Sequence, residues 1–424
     1  MKDILTQIIK TRTLKDAAIS FTGTFVNGLL GLAFYILMAR NLGPLNFGIF
    51  SVAVATLTLI TDISDVGTDT GLVRFVGKYL NSNKLKALRF LKLGLKVKLV
   101  AWLVVLVLGW FLAPFVSANI LAKSELVVPL RLALVGVGGA LLFSFATHAV
   151  QAVQRFWVWS GLNVAGNLVR LLVIIFLISL MRLHLTSGLV VYIAVPFLGF
   201  LAGLFFMPSF FKVKNEFGVA KEFFKYNKWV ALFVLIAAVS SRLDTYISTR
   251  LISLAEVGIY SVAIQLAGIV PQIVFALASV VAPKLAGYDS DIKVKNYLKK
   301  LQVFTLGLAL VGLIIGIPLS RVVIPLFYGN QYLGSVAPFA ILLLAQAIFL
   351  ISVPVHTAVF YYFGYPKLFF FIALGHLAII GGLGVPLIGL YGYMGAAITV
   401  LVGNVFNFMV PAVWVVQKFR SRPK

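Results

Sequence analysis

Two arginines stand inside otherwise apolar sequence, Arg170 and Arg242. A guanidinium stays protonated, and its planar fork fits a phosphate through two parallel hydrogen bonds. The pair therefore suits recognition of an anionic group such as pyrophosphate, or else a structural ion pair. Asp244 is the acid nearest Arg242, although a two-residue step sets them about 200° apart on an ideal helix. Asp62, Asp65 and Asp69 follow one another at steps of three and four, on one helical face. They offer a site for a coupling cation or proton (Na+ or H+), or partners for a basic residue of a neighbouring helix. Arg74 is the nearest basic residue in sequence.

Small and amide residues recur at helical spacing. Ser20, Thr24, Asn27 and Gly31 form one stripe, and Asn163, Gly166, Asn167 and Arg170 another. Ser144, Thr147, His148 and Gln151 form a third, and Ser261, Gln265, Gly268 and Gln272 a fourth. Asn404 and Asn407 lie close to the end of the chain. Taken singly, each stripe reads as glue between packed helices. Taken together they point to a hydrated cavity that suits a polar substrate, because intramembrane polar groups face the bundle interior or water.

Other chemistries lack their residues. The chain has no cysteine, which removes disulfides, thiolate nucleophiles and thiolate metal ligands. None of His148, His184, His356 and His376 has a second histidine or a carboxylate three or four positions on, so zinc-site spacing is absent. No phosphate-binding loop motif occurs. Gly136, Gly138 and Gly139 read as helix packing rather than a dinucleotide fingerprint.

These residues need apolar helices to hold them. Of 424 residues, 61% are hydrophobic and 11% charged, far from the balance of a water-soluble domain. The chain is an all-α integral membrane protein. A span needs about 20 mostly apolar residues, and twelve segments qualify: roughly 17–38, 47–69, 99–116, 128–150, 158–181, 188–211, 229–250, 257–283, 301–325, 336–363, 367–388 and 392–416. Twelve spans put both termini on one side, and 28 of the 36 Lys and Arg fall there. That side is the cytoplasmic one of the cell membrane. The net charge of +24 is therefore met by anionic lipid and not by nucleic acid. The first fifteen residues read as an interfacial helix and not as a cleaved signal peptide. The stretch 78–98 reads as an amphipathic connector on the inner membrane surface, with Leu85, Leu88, Leu91 and Leu95 on its apolar face.

The spans also repeat. Residues 35–53, YILMARNLGPLNFGIFSVA, align with residues 245–263, TYISTRLISLAEVGIYSVA. At an offset of 210, Arg40 falls on Arg250, Gly48 on Gly258 and Ser51 on Ser261. This divides the chain into two six-helix lobes, 1–212 and 213–424. Six spans per half make the repeats parallel, an arrangement found in carriers that alternate access around a central cavity.

The stretch from Ala39 through Arg40-Asn41-Leu42-Gly43-Pro44 to Ser51 resembles the first-loop signature of the O-antigen type polysaccharide flippases. Arg242-Leu243-Asp244, followed by Val257-Gly258-Ile259-Tyr260-Ser261, resembles the start of that family's second half. The family belongs to the multidrug/oligosaccharidyl-lipid/polysaccharide exporter superfamily. The resemblance implies a V-shaped pair of six-helix lobes opening alternately to each side. It implies carriage of a polyprenyl- or dolichyl-(pyro)phosphate-linked oligosaccharide to the outer leaflet, for surface polysaccharide or glycan assembly. On this reading Arg170 and Arg242 engage phosphate. Asn27, Asn163, Asn167, Gln265 and Gln272 bond sugar. Asp62, Asp65 or Asp244 couples to an ion gradient. Membrane lipids and glycan-assembly enzymes are the implied partners, and no other cofactor is implied. One chain supplies both lobes, so a monomer suffices.

Two rivals remain. A cation-coupled multidrug antiporter of the same superfamily needs a cavity carboxylate, whereas the first span carries Asn27 and no acid. A membrane-embedded glycosyltransferase needs a substantial outer loop with catalytic acids, and here those loops are short. The expectation is a carrier and not an enzyme.

Overall fold

The computed structural model describes residues 12–421 other than 215, 289 and 366. The stretch read as an interfacial N-terminal helix lies largely outside them. Every regular element among the described residues is helical. Eleven helices are long and apolar enough to cross a membrane. The first of these, α1 (Arg12–Asp65), is broken at Gly43, whose φ of 74° is left-handed. A left-handed backbone favours glycine, and Pro44 after it suits the first turn of a new helix. Two spans thus run through α1, and the twelve expected segments are all accounted for. This is a multi-pass membrane protein.

The helices that follow are α2 (Thr68–Tyr79), α3 (Lys84–Phe115), α4 (Val127–Ala152), α5 (Phe156–Ser179), α6 (Leu185–Leu204) and α7 (Phe217–Ser240). Next come α8 (Leu243–Leu251), α9 (Leu254–Ala267), α10 (Ile269–Ala286), α11 (Asp291–Tyr328), α12 (Val336–Ile351) and α13 (Val353–Thr357). The last are α14 (Lys367–Tyr391) and α15 (Tyr393–Ser421). They form two compact units. One comprises the chain up to Leu42 with Val52–Ala238, and the other Gly43–Ser51 with Val239 onward.

Helix packing explains the glycine cluster of α4. A Cβ on Gly138 would lie 2.1 Å from the Trp102 ring, and one on Gly139 2.8 Å from Phe197. These glycines let α3 and α6 approach α4 closely, as their sequence reading expected.

The stretch 78–98 departs from its reading as a lipid-hugging connector. From Lys84 it is the first part of α3. Ala87, Phe90 and Leu91 are fully buried against Leu72, Phe75 and Val76 of α2 and Phe223 of α7. Its charges are also partly answered by protein. Lys86 Nζ lies 2.7 Å from Glu222, and Arg89 pairs with Glu216. Leu91 and Leu95 do lie on the apolar face, and what covers it is α2, α4 and α7, of which α4 and α7 are far away in sequence.

Candidate functional site

Within the first unit, α1, α4, α5 and α6 enclose a cavity of about 360 Å³. The stripe expected on the fifth span turns out as one wall, with Asn163, Gly166, Asn167 and Arg170 all lining it. Asn27 and Thr58 of α1, Ser144 and Thr147 of α4 and Tyr192 of α6 complete the polar lining. Arg170 is the one charged side chain among these described lining residues.

A chain of hydrogen bonds aims that charge. Asn167 Nδ2 donates to Asn27 Oδ1 at 2.7 Å and to its carbonyl at 3.1 Å. Arg170 Nη1 donates to Asn167 Oδ1 at 3.2 Å, and Nη2 to the Tyr192 carbonyl at 3.3 Å. The guanidinium carbon sits 4.2 Å from the centre of the Tyr192 ring, a cation–π distance. The Tyr35 hydroxyl donates to that of Tyr192 at 3.3 Å. Arg170 Nε is buried with no hydrogen-bond partner among the described residues. Among the described residues none of these contacts is a carboxylate, so an ion pair of the kind considered from sequence is not what they make. Asn163 turns its amide back onto the Trp159 carbonyl at 2.8 Å, leaving its Oδ1 as the acceptor on that wall.

Next to the cavity lies an ionic cluster. Lys98 of α3 is fully buried. Its Nζ lies 2.6 Å from Asp65 Oδ1 and 2.7 Å from Asp69 Oδ1. Ser144, a cavity residue, donates its hydroxyl to Asp69. His148 Nδ1 lies 3.3 Å from Asp69 and 2.9 Å from the Ser144 carbonyl. The carbonyl can only accept, so Nδ1 carries a proton. The acids do not share one continuous helix face as expected. Val66 and Gly67, with φ of 50° and 73°, break the helix between Asp65 and Asp69, and the turn lets both carboxylates reach one ammonium. Asp62, one turn earlier, is exposed. Arg74 stacks on Tyr226 at 4.6 Å. Sequence reasoning missed Lys98 and counted it among loop charges. The available signal was its position, between Val97 and the apolar run that starts at Leu99.

The remaining expected site residues lie in the second unit and do not line this cavity. Arg242 precedes α8 as its N-cap and is half-buried. Asp244 is buried and accepts from the Tyr260 hydroxyl at 2.7 Å. Gln265 is half-buried and Gln272 exposed. Ser261, from the same stripe, is buried and bonds the Val257 carbonyl of its own helix at 2.7 Å. Asn404 donates to the Ala345 carbonyl at 2.8 Å and so fastens α15 to α12. That is the packing role considered for such residues.

The fold is that of known transporters. The lipid II flippase MurJ, in an inward closed conformation, superposes with a TM-score of 0.74 at 15% identity, over 94% of this chain and 88% of that one. An inward-facing multidrug resistance MATE family transporter of the MOP superfamily gives 0.74 at 11% identity, over 93% and 95%. A MOP superfamily transporter from Pyrococcus furiosus gives 0.64 at 13%, over 96% and 95%. No curated protein matches the chain. The model of the polysaccharide biosynthesis protein family matches residues 13–289. The chain belongs to that family.

Proposed function

We propose that this protein moves a lipid-linked oligosaccharide, sugar attached to a polyprenyl or dolichyl (pyro)phosphate, from the cytoplasmic to the outer leaflet. One observation carries the reading: the first-unit cavity presents a single guanidinium and several amides, with no acid among its described lining residues. Arg170 meets the phosphate through guanidinium N–H groups that are not spent on Asn167 and the Tyr192 carbonyl. Asn27, Asn163 and Asn167 supply the donors and acceptors that sugar hydroxyls need. A phosphorylated sugar cannot leave water for about 30 Å of hydrocarbon unaided. A cavity that answers its charge lowers that barrier.

The structural likeness to a lipid II flippase agrees with such a substrate. The likeness to a multidrug transporter leaves a drug antiporter as the rival, and a cavity without an acid argues against a cationic drug. Arg242 and Asp244, at the start of α8, serve the second unit in this scheme. In this scheme both termini face the cytoplasm at the cell membrane, and one chain suffices. Replacing Arg170 by alanine tests it. Flipping of the native lipid-linked sugar in proteoliposomes should fall while the folded yield stays constant, and undiminished flipping rejects the role.

A further inference from the structure

We propose that Lys98 is a built-in counter-cation, which closes the carboxylate pair of the first unit to Na+. A free cation bridging Asp65 and Asp69 would need the position between them. The ammonium of Lys98 already holds it, at 2.6 and 2.7 Å. It arrives from α3 on a fully buried side chain, and so does not exchange with solvent as a dissolved ion does. The left-handed pair Val66–Gly67 is the backbone device that turns both acids onto it. A β-branched residue held at positive φ persists only where its surroundings over-determine it.

Charge is consistent with this. Among the described residues, the ionisable groups paired with one another here are Asp65 at the end of α1, Asp69 on α2, Lys98 on α3 and His148 on α4. Two carboxylates against one ammonium leave one negative charge when His148 is neutral. Ser144 passes the state of the cluster to the cavity, because its hydroxyl bonds Asp69 and its side chain lines the cavity wall with Arg170. The consequence for transport rests on the carrier reading above. The ion selectivity does not.

The test uses the full chain in lipid nanodiscs and needs no substrate. Thermal melting is compared in NaCl and choline chloride at equal ionic strength. Wild type should melt at one temperature in both. Lys98→Ala, which reopens the position between the acids, should melt higher in NaCl. A Na+-specific rise in wild type that Asp65→Asn removes overturns the proposal. So does a folded Lys98→Ala protein indifferent to Na+. If Lys98→Ala does not fold, the wild-type comparison decides. Intact ion selectivity with no sugar-lipid flipping rejects the substrate reading alone.

Discussion

Gly48 and Gly258 pack against each other so closely that neither could carry a side chain without a shift of backbone. A Cβ on Gly48 would lie 1.8 Å from the Leu254 carbonyl oxygen, and one on Gly258 2.0 Å from that of Pro44. Pro44 and Leu254 are themselves 210 positions apart, as the two glycines are. The internal repeat therefore meets itself here, in a contact that reads the same from either side. Both partners lie in the second unit, because Gly43–Ser51 belongs to it.

Alanine at either glycine should displace a helix. Gly48→Ala and Gly258→Ala should each cost about 1–3 kcal/mol, the range for overpacking. The double variant should do no better than the worse single one, since each carbonyl still meets a methyl. Melting in detergent checks this, and unchanged melting in both singles would show that the contact is looser than the geometry says.

Arg170 governs recognition more than stability. Arg170→Ala removes a charge-assisted donor set and should lower flipping roughly 10- to 100-fold. Arg170→Lys keeps the charge but loses the fork and should fall between. Melting should move little in both, because the guanidinium bonds only one amide and one carbonyl. Dose–response in reconstituted vesicles measures the first effect and a melting curve the second.

Lys98 behaves in the opposite way. Its removal leaves two carboxylates facing each other in a buried place. Breaking such a pair from one side costs about 3–5 kcal/mol. Lys98→Ala should melt far below wild type in the absence of Na+, and adding Asp69→Asn should restore part of the loss. A single variant as stable as wild type would mean that the ammonium does not hold the acids.

Tyr260 is the described side chain that answers buried Asp244 most closely. Tyr260→Phe should cost about 1–3 kcal/mol by leaving a buried acceptor unmet. Asp244→Asn should cost less, since an amide oxygen still accepts from the Tyr260 hydroxyl. Comparing the melting of the two variants tests the order, and the reverse order contradicts it.

The legible part of this protein followed from periodicity. Asn163, Gly166, Asn167 and Arg170 sit at helical spacing on one continuous helix, and all four line one cavity. The Gly43–Pro44 pair, likewise, falls between the first two spans expected from hydropathy. What stayed hidden was non-local. Lys98 closes on Asp65, 33 residues away, and on Asp69, and in sequence it looks like the last of a run of surface charges. The Val66–Gly67 break was signalled only by one glycine among acids. Arg89 and Lys86 resembled lipid-facing charges because their partners, Glu216 and Glu222, come more than 120 positions later. In the second half, Ser261 shares a stripe with Gln265 and Gln272, and its hydroxyl bonds a carbonyl of its own helix, in keeping with the packing alternative.

The central claim concerns the substrate, and one measurement addresses it directly. Lipid-linked sugars are quantified by mass spectrometry in cells with and without this chain, and their sidedness is scored by enzyme access to sealed vesicles. The account predicts that loss of the chain strands a polyprenyl- or dolichyl-linked oligosaccharide on the cytoplasmic side, and that wild type but not Arg170→Ala clears it. A lipid-linked pool unchanged in amount and sidedness would contradict it.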